Sequence, residues 1–275
     1  MLSRLKALRR WALRAVDYHV GAQIRWRWLQ RALRPLLAGK ALRVLDAGSG
    51  SGLYTFRLGR RYPRCTFHGI ELDAAHVATC QARLQNEALP NLTFAQGDLT
   101  QPLLIEPVDL AYSVDVLEHI GDDGAALRHL AQAMRPGGRL FIHTPLIPQR
   151  HWLRRFDLER APRDDHVRQG YLEEELRAKV RAAGLEPVCA MYTHGRWGTL
   201  AWELWQMLRW QLVPKFVLWP LAMVLIAVEL LSPPAWGNCI LLESRKPEAR
   251  TDNADGSEHR SVKSVESVVP GRGMP

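Results

Sequence analysis

The chain has 275 residues, 47 % hydrophobic and 24 % charged, with a net charge of +9. That length can bury one large core with appendages, and the proportions are ordinary for a soluble protein. The four cysteines, Cys65, Cys80, Cys189 and Cys239, form no CxxC pair, which argues against a disulfide framework or zinc ribbon and for reduced thiols in a cytoplasmic protein.

The charge is concentrated at one end. Residues 1–43 hold eleven Lys and Arg against one acid, Asp17, while the remainder is near neutral. The segment has no continuous apolar stretch of the signal-peptide kind. Read as a helix, it places Ile24, Trp28, Leu29, Ala32, Leu33 and Leu36 on one face and Arg27, Arg31 and Arg34 on the other. Residues 1–40 are therefore expected to form a basic amphipathic arm, suited to an anionic partner such as a membrane surface or a nucleic acid.

Next, ALRVLDAG reads as a buried parallel strand. CTFHGIELD is a second strand, followed by a helix from Ala74 to about Asn86. LTFAQGD and VDLAYSVD are the third and fourth. Leu127, Leu130, Ala131 and Met134 recur at helical spacing and stop at Pro136-Gly137-Gly138, after which GRLFIHTP is a fifth strand. Tyr171 to Ala183 is a helix closed by Gly184. LEPVCAMYT and NCILLESRK are candidates for the last two strands. Strands alternating with helices predict an α/β sheet, mostly parallel, with helices on both faces. The longest apolar run, Phe216 to Val228, has thirteen residues and contains Pro220, short of the ~20 that span a bilayer. It belongs to an expected helical insert over 196–236, and residues 247–275 read as a disordered tail.

The segment VLDAGSGSGLYT puts Gly48, Gly50 and Gly52 just past the first strand, where α/β sheets bind ligands and where glycine lets a ligand approach the backbone. Alone, that spacing also fits a plain strand-to-helix turn. Glu71, at the end of the second strand, stands where an acid can accept from both ribose hydroxyls. Asp98, past the third, could accept from an adenine amino group. An adenosine laid across three strand ends is the reading that uses all three. A pyrophosphate prefers GxGxxG, and Asp46, immediately upstream of the loop, would repel it. A ligand with a positive centre suits that carboxylate better. An NAD-type oxidoreductase is the alternative.

These residues resemble the class I S-adenosylmethionine-dependent methyltransferases of the small-molecule, ubiquinone-pathway-like branch, over roughly Leu42 to Lys246. VLDAGSGSG is similar to the family's first motif, GIELD to the second and GDL to the third; YSVDVLEHI and RPGGRLFIHTP are similar to its fourth- and fifth-strand motifs. The resemblance implies a Rossmann-like seven-stranded sheet with an antiparallel last strand, spanning 41–246, and S-adenosyl-L-methionine as cofactor. It implies cofactor contacts from Asp46, Gly48, Ser49, Gly50, Gly52, Glu71, Leu72, Asp98, Leu99 and Ser113.

For catalysis, Asp115, Glu118 and His119 are expected to converge on one face of a helical turn past the fourth strand. His119 is the candidate base. A metal on these three, as in the similar E-x-x-E-H of ubiquinone-pathway O-methyltransferases, and a purely structural role are the other readings. His143, His166 and Tyr171 are either substrate-facing or packing groups. The positions after the fourth strand read SVDVLE, not the D/N-P-P-Y/F/W of base-amine DNA methyltransferases, and no cysteine follows a proline, so a nucleic-acid substrate is the weaker alternative. All ten tryptophans lie outside 29–151, in the arm, after the fifth strand and in the insert. Either the arm and insert form a lid resting on an anionic membrane and admitting a lipophilic acceptor, or they are cap helices packed over the site. The expectation is methyl transfer, with O-methylation favoured, in the cytoplasm or on the inner face of the membrane.

Overall fold

The computed structural model describes residues 20–153, 167–207 and 215–248. Residues 1–19 with Trp11, the loop holding His166, Trp210, and the expected tail beyond Glu248 lie outside the described residues.

Seven strands form one sheet: β1 (Arg43–Ala47), β2 (Thr66–Glu71), β3 (Leu92–Gln96), β4 (Val108–Val114), β5 (Met134–Pro145), β6 (Glu186–Thr193) and β7 (Cys239–Arg245). Their order is β3-β2-β1-β4-β5-β7-β6. β7 runs antiparallel to both neighbours, whereas β1 to β5 pair in parallel. The order reverses between β1 and β4, so a crevice opens at their carboxyl ends. The seven described α-helices are α1 (Val20–Leu37), α2 (Leu53–Arg61), α3 (Ala74–Asn86), α4 (Asp123–Ala133), α5 (Glu173–Ala182), α6 (Arg196–Met207) and α7 (Lys215–Leu231).

Alternation along the strands feeds two cores. Val44, Leu110 and Tyr112 face α1, α2, α3, α6 and α7, while Leu45, Ala47 and Ala111 face α4 and α5. The expected antiparallel last strand and helical insert are both present. Two boundaries move. Met134 leaves the helix with extended backbone, ψ 148°, and starts β5. Tyr171 and Leu172 precede α5 rather than opening it: Tyr171 bridges Leu146, and its buried hydroxyl donates to Leu117 O at 3.0 Å and Asp123 Oδ2 at 2.7 Å.

The described part of the basic arm is a wall of the core. Val20, Ile24, Trp28, Leu29, Leu33 and Leu37 of α1 are all at most 1 % exposed. The predicted apolar face thus meets α6, α7 and β6, and Arg31 and Arg34 point to solvent. At ~1.5–3 kcal/mol for each fully buried large apolar side chain, the contribution of α1 is comparable to the whole stability of an ordinary domain.

Candidate functional site

The loop after β1 is held by its neighbour strand: the amides of Gly48 and Ser49 donate to Ile70 O at 2.9 and 3.0 Å. Gly48, at φ +81°, is boxed in, since a Cβ there would meet Val116 Cγ2 at 2.4 Å. Gly50, at φ +51°, has nothing within 4 Å of where its Cβ would stand. The chain therefore passes with bare backbone over open space. The Gly50 amide donates to Glu71 Oε2 at 2.7 Å, and Asp73 N donates to Oε1 at 3.0 Å. The acid at the end of β2 is thus fixed against the glycine loop.

Asp98 follows closely, because Gly97 N donates to Glu71 O at 3.0 Å. Its Oδ1 is turned inward, accepting from Thr100 N and Oγ1 at 2.8 Å each. Leu72 leaves 64 % of its surface exposed beside these acids, whereas Leu99 is buried in the core that faces α4. A groove of about 740 Å³ runs under the 97–107 connection and reaches Gly97 and Asp98 but neither the glycine loop nor Glu71. It follows from the lack of a helix between β3 and β4, so the strand-end crevice, not this groove, carries the candidate residues.

Asp46 is buried, its carboxylate receiving hydrogen bonds from the Thr55 hydroxyl and from Tyr112 Oη, the latter at 2.9 Å. Burial pushes its pKa up to about 7; the two hydroxyl donors oppose this and the Glu71 charge adds to it. No described cation pairs with Asp46. A carboxylate without a counter-ion beside bare loop backbone suits a ligand that carries positive charge. Two candidate hydroxyls make no hydrogen bond among the described residues. Ser49 Oγ lies against Gly69, and both it and Ser113 Oγ are buried without a partner among the described residues.

Asp115, Glu118 and His119, expected on one face of a helical turn, do not share such a turn. The helical turn is a short 3₁₀ piece, Leu117–His119, and Asp115 sits outside it at φ +52°. Its carboxylate pairs with the Arg25 guanidinium of α1 and accepts from His143 Nδ1 at 2.6 Å. Burial acts to raise the Asp115 pKa, but the Arg25 and His143 charges outweigh it and hold the group well below the usual carboxylate range. Glu118 is 1 % exposed and receives Thr144 Oγ1 at 3.1 Å. Burial, then the Asp115 charge, lift its pKa to about 8. His119 is half-buried. These three do not assemble as a ligand set for a metal; among the described residues the one such grouping is His143, His194 and Cys239. There His143 already engages Asp115 and, through Nε2 at 2.9 Å, Thr193 Oγ1.

Sequence reasoning missed Arg25. Its signal is a charge three and four residues ahead of Trp28 and Leu29, on the apolar side of the helix. His143, by sequence either substrate-facing or a packing group, lies opposite Val114 across β4 and β5, and the Asp115 amide donates to its carbonyl at 2.9 Å.

A family model described as "Methyltransferase domain" matches residues 16–190. The chain therefore belongs to the methyltransferase-domain family. It is 37 % identical over 102 residues to a trans-aconitate 2-methyltransferase of Deinococcus radiodurans, covering 37 % of each chain. It is 28 % identical over 171 residues to the ubiquinone biosynthesis O-methyltransferase of Pseudomonas entomophila, covering 59 % of this chain and 71 % of that one. The matches span well under half the length of two trans-aconitate methyltransferases, 37 % and 45 %. Among solved structures, the cyclase SpnF superimposes with a TM-score of 0.60 at 18 % identity, over 82 % of this chain and 81 % of its own. Magnesium protoporphyrin IX methyltransferase from Synechocystis, with bound S-adenosylhomocysteine, gives 0.55 at 19 % identity, over 84 % and 85 %. At these identities the structures show a shared fold, and a cyclase among them shows that the fold does not dictate methyl transfer.

Proposed function

We propose that this chain transfers a methyl group from S-adenosylmethionine to a hydroxyl of a small, lipophilic acceptor. The carrying observation is the open space over Gly50, closed on one side by the tethered Glu71 and flanked by the uncompensated Asp46. In this reading Glu71 accepts from the ribose hydroxyls, Asp98 from the adenine amino group, and Leu72 offers its exposed apolar surface to the base. Asp46 faces the amino-acid end. The cofactor supplies an electrophilic methyl on a sulfonium, so the protein's share is alignment and exclusion of water. The family match sets aside the NAD-type alternative.

His119, half-buried past β4, is the proposed base for the acceptor hydroxyl. Glu118, held protonated near neutral pH by its surroundings, does not compete for that proton. The acceptor is proposed to be drawn from a membrane surface, since tryptophans and basic residues gather in α1 and the insert. No described helix is long and apolar enough to cross a membrane. The test is transfer of radiolabel from methyl-labelled S-adenosylmethionine to a lipid extract and to a water-soluble metabolite pool, with Glu71→Ala as control. Saturable labelling of the lipid pool alone is expected; labelling confined to the water-soluble pool would contradict the lipophilic acceptor.

A further inference from the structure

α7 carries two opposed faces. Ala222, Ile226 and Glu229 are buried at 2, 1 and 1 % exposure, whereas Leu221, Val224, Val228 and Leu231 are exposed at 44, 58, 37 and 86 %. The spacing of the exposed set, three, four and three residues, makes one straight stripe, about 15 Å long at 1.5 Å per residue. No charged residue occurs from Phe216 to Val228. Scattered apolar side chains on a surface need no explanation, but a contiguous aliphatic stripe signals a partner.

Beside the stripe lie cations without counter-ions. Arg31 Nη1 donates to Leu230 O, and Arg27 Nη2 contacts Met223 Sδ at 3.5 Å, so α1 lays its basic side along α7. None of Arg27, Arg31 and Arg34 is paired with an acid among the described residues. Burial, then the charge of the nearby Arg57, lower the Arg27 pKa.

We infer that the α7 stripe, with Arg31 at its side and the exposed Arg34 three residues further along α1, docks this protein on an anionic lipid bilayer. Aliphatic side chains bordered by arginine match acyl chains under negative headgroups. A second copy placed on the same face would set these arginines against their own kind. A nucleic acid would leave the aliphatic stripe in water. The inference goes beyond the proposed methyl transfer and does not depend on it.

Because α1 is part of the core, the test uses point variants of the full chain. Co-flotation is measured with phosphatidylcholine vesicles, with and without phosphatidylglycerol, alongside S-adenosylhomocysteine titration of each protein. The wild type is expected to float with the anionic vesicles only. Arg31→Gln with Arg34→Gln should lower that partition about 25-fold, fivefold per lost charge. Val224→Glu with Val228→Glu should abolish it, with S-adenosylhomocysteine affinity unchanged in both variants. Wild-type protein that floats with neither vesicle, or a folded stripe variant that floats as well as wild type, overturns the inference. So does a wild-type dimer that the stripe variant converts to monomer without vesicle binding, or binding to nucleic acid in place of vesicles. If flotation holds and S-adenosylhomocysteine fails to bind the wild type, the methyl-transfer reading falls and the docking face stands.

Discussion

The backbone amide of Gly50 and the carboxylate of Glu71, 21 residues apart, are joined by a 2.7 Å hydrogen bond across the carboxyl ends of β1 and β2. The bond fixes the acid while leaving the space over Gly50 empty of protein. Gly50→Ala therefore separates folding from binding. The left-handed φ of +51° costs a side chain ~1 kcal/mol, with no clash to add. The variant should lose only a few degrees in melting temperature. Its affinity for S-adenosylhomocysteine, read by calorimetry, should fall tenfold or more, because the new methyl occupies the ligand's approach.

Asp46 gives a pH signature. Its folded pKa of about 7 lies above the ordinary value of 3.8, so its burial makes the fold progressively less stable as pH rises from about 4 to about 7, and by a constant amount beyond. Asp46→Asn should melt higher than wild type at pH 8 and converge with it at acid pH. Ligand binding should respond with the opposite sign. A cationic ligand draws Asp46 into its charged form, so wild-type affinity for S-adenosylmethionine should climb between about pH 6 and 8, about one unit either side of half-titration at about 7. The Asn variant should bind more weakly with a flat profile.

Arg25 and Asp115 tie α1 to the end of β4. Arg25→Met leaves a mostly buried carboxylate without its cation, at about 2–3 kcal/mol, below the range for fully buried pairs because both side chains keep some exposure. Since the pair depresses the Asp115 pKa, its contribution is present above the ordinary carboxylate range and is lost as pH falls through and below it. The gap between variant and wild type in denaturant midpoint should be full at pH 7 and shrink in acid. Adding Asp115→Asn should recover part of the loss.

His119→Ala should lower the rate of methyl transfer 10²- to 10⁴-fold, the range for a general base, with little change in S-adenosylhomocysteine affinity. Single-turnover kinetics with the acceptor from the labelling screen read this. An unchanged rate would move the base elsewhere.

Much of this was legible in the residues. All seven strands can be read because each is short, apolar and bounded by a turn signal, and Gly48, Glu71 and Asp98 fall at strand ends by count alone. What stayed hidden depends on contacts between distant segments. The Thr55 and Tyr112 donors to Asp46, and the Arg25–Asp115–His143 chain, join residues from different elements whose proximity no local period encodes. The turn at 115–119 misled because Asp115 takes a left-handed backbone that helical spacing cannot anticipate. The arm was legible in part: its sequence shows the charge and the apolar face, but leaves open a membrane-resting lid or packed helices, and only the contacts of α1 with α6, α7 and β6 show that the described face closes the core.

Calorimetric titration of S-adenosylhomocysteine into wild type and Glu71→Ala tests the central claim most directly. The account predicts saturable binding to the wild type and a loss of about 10- to 100-fold in the variant, as expected when hydrogen bonds to a charged acceptor at about 1.5–3 kcal/mol are removed. Equal affinity in the two proteins, or none in a folded wild type, would contradict it.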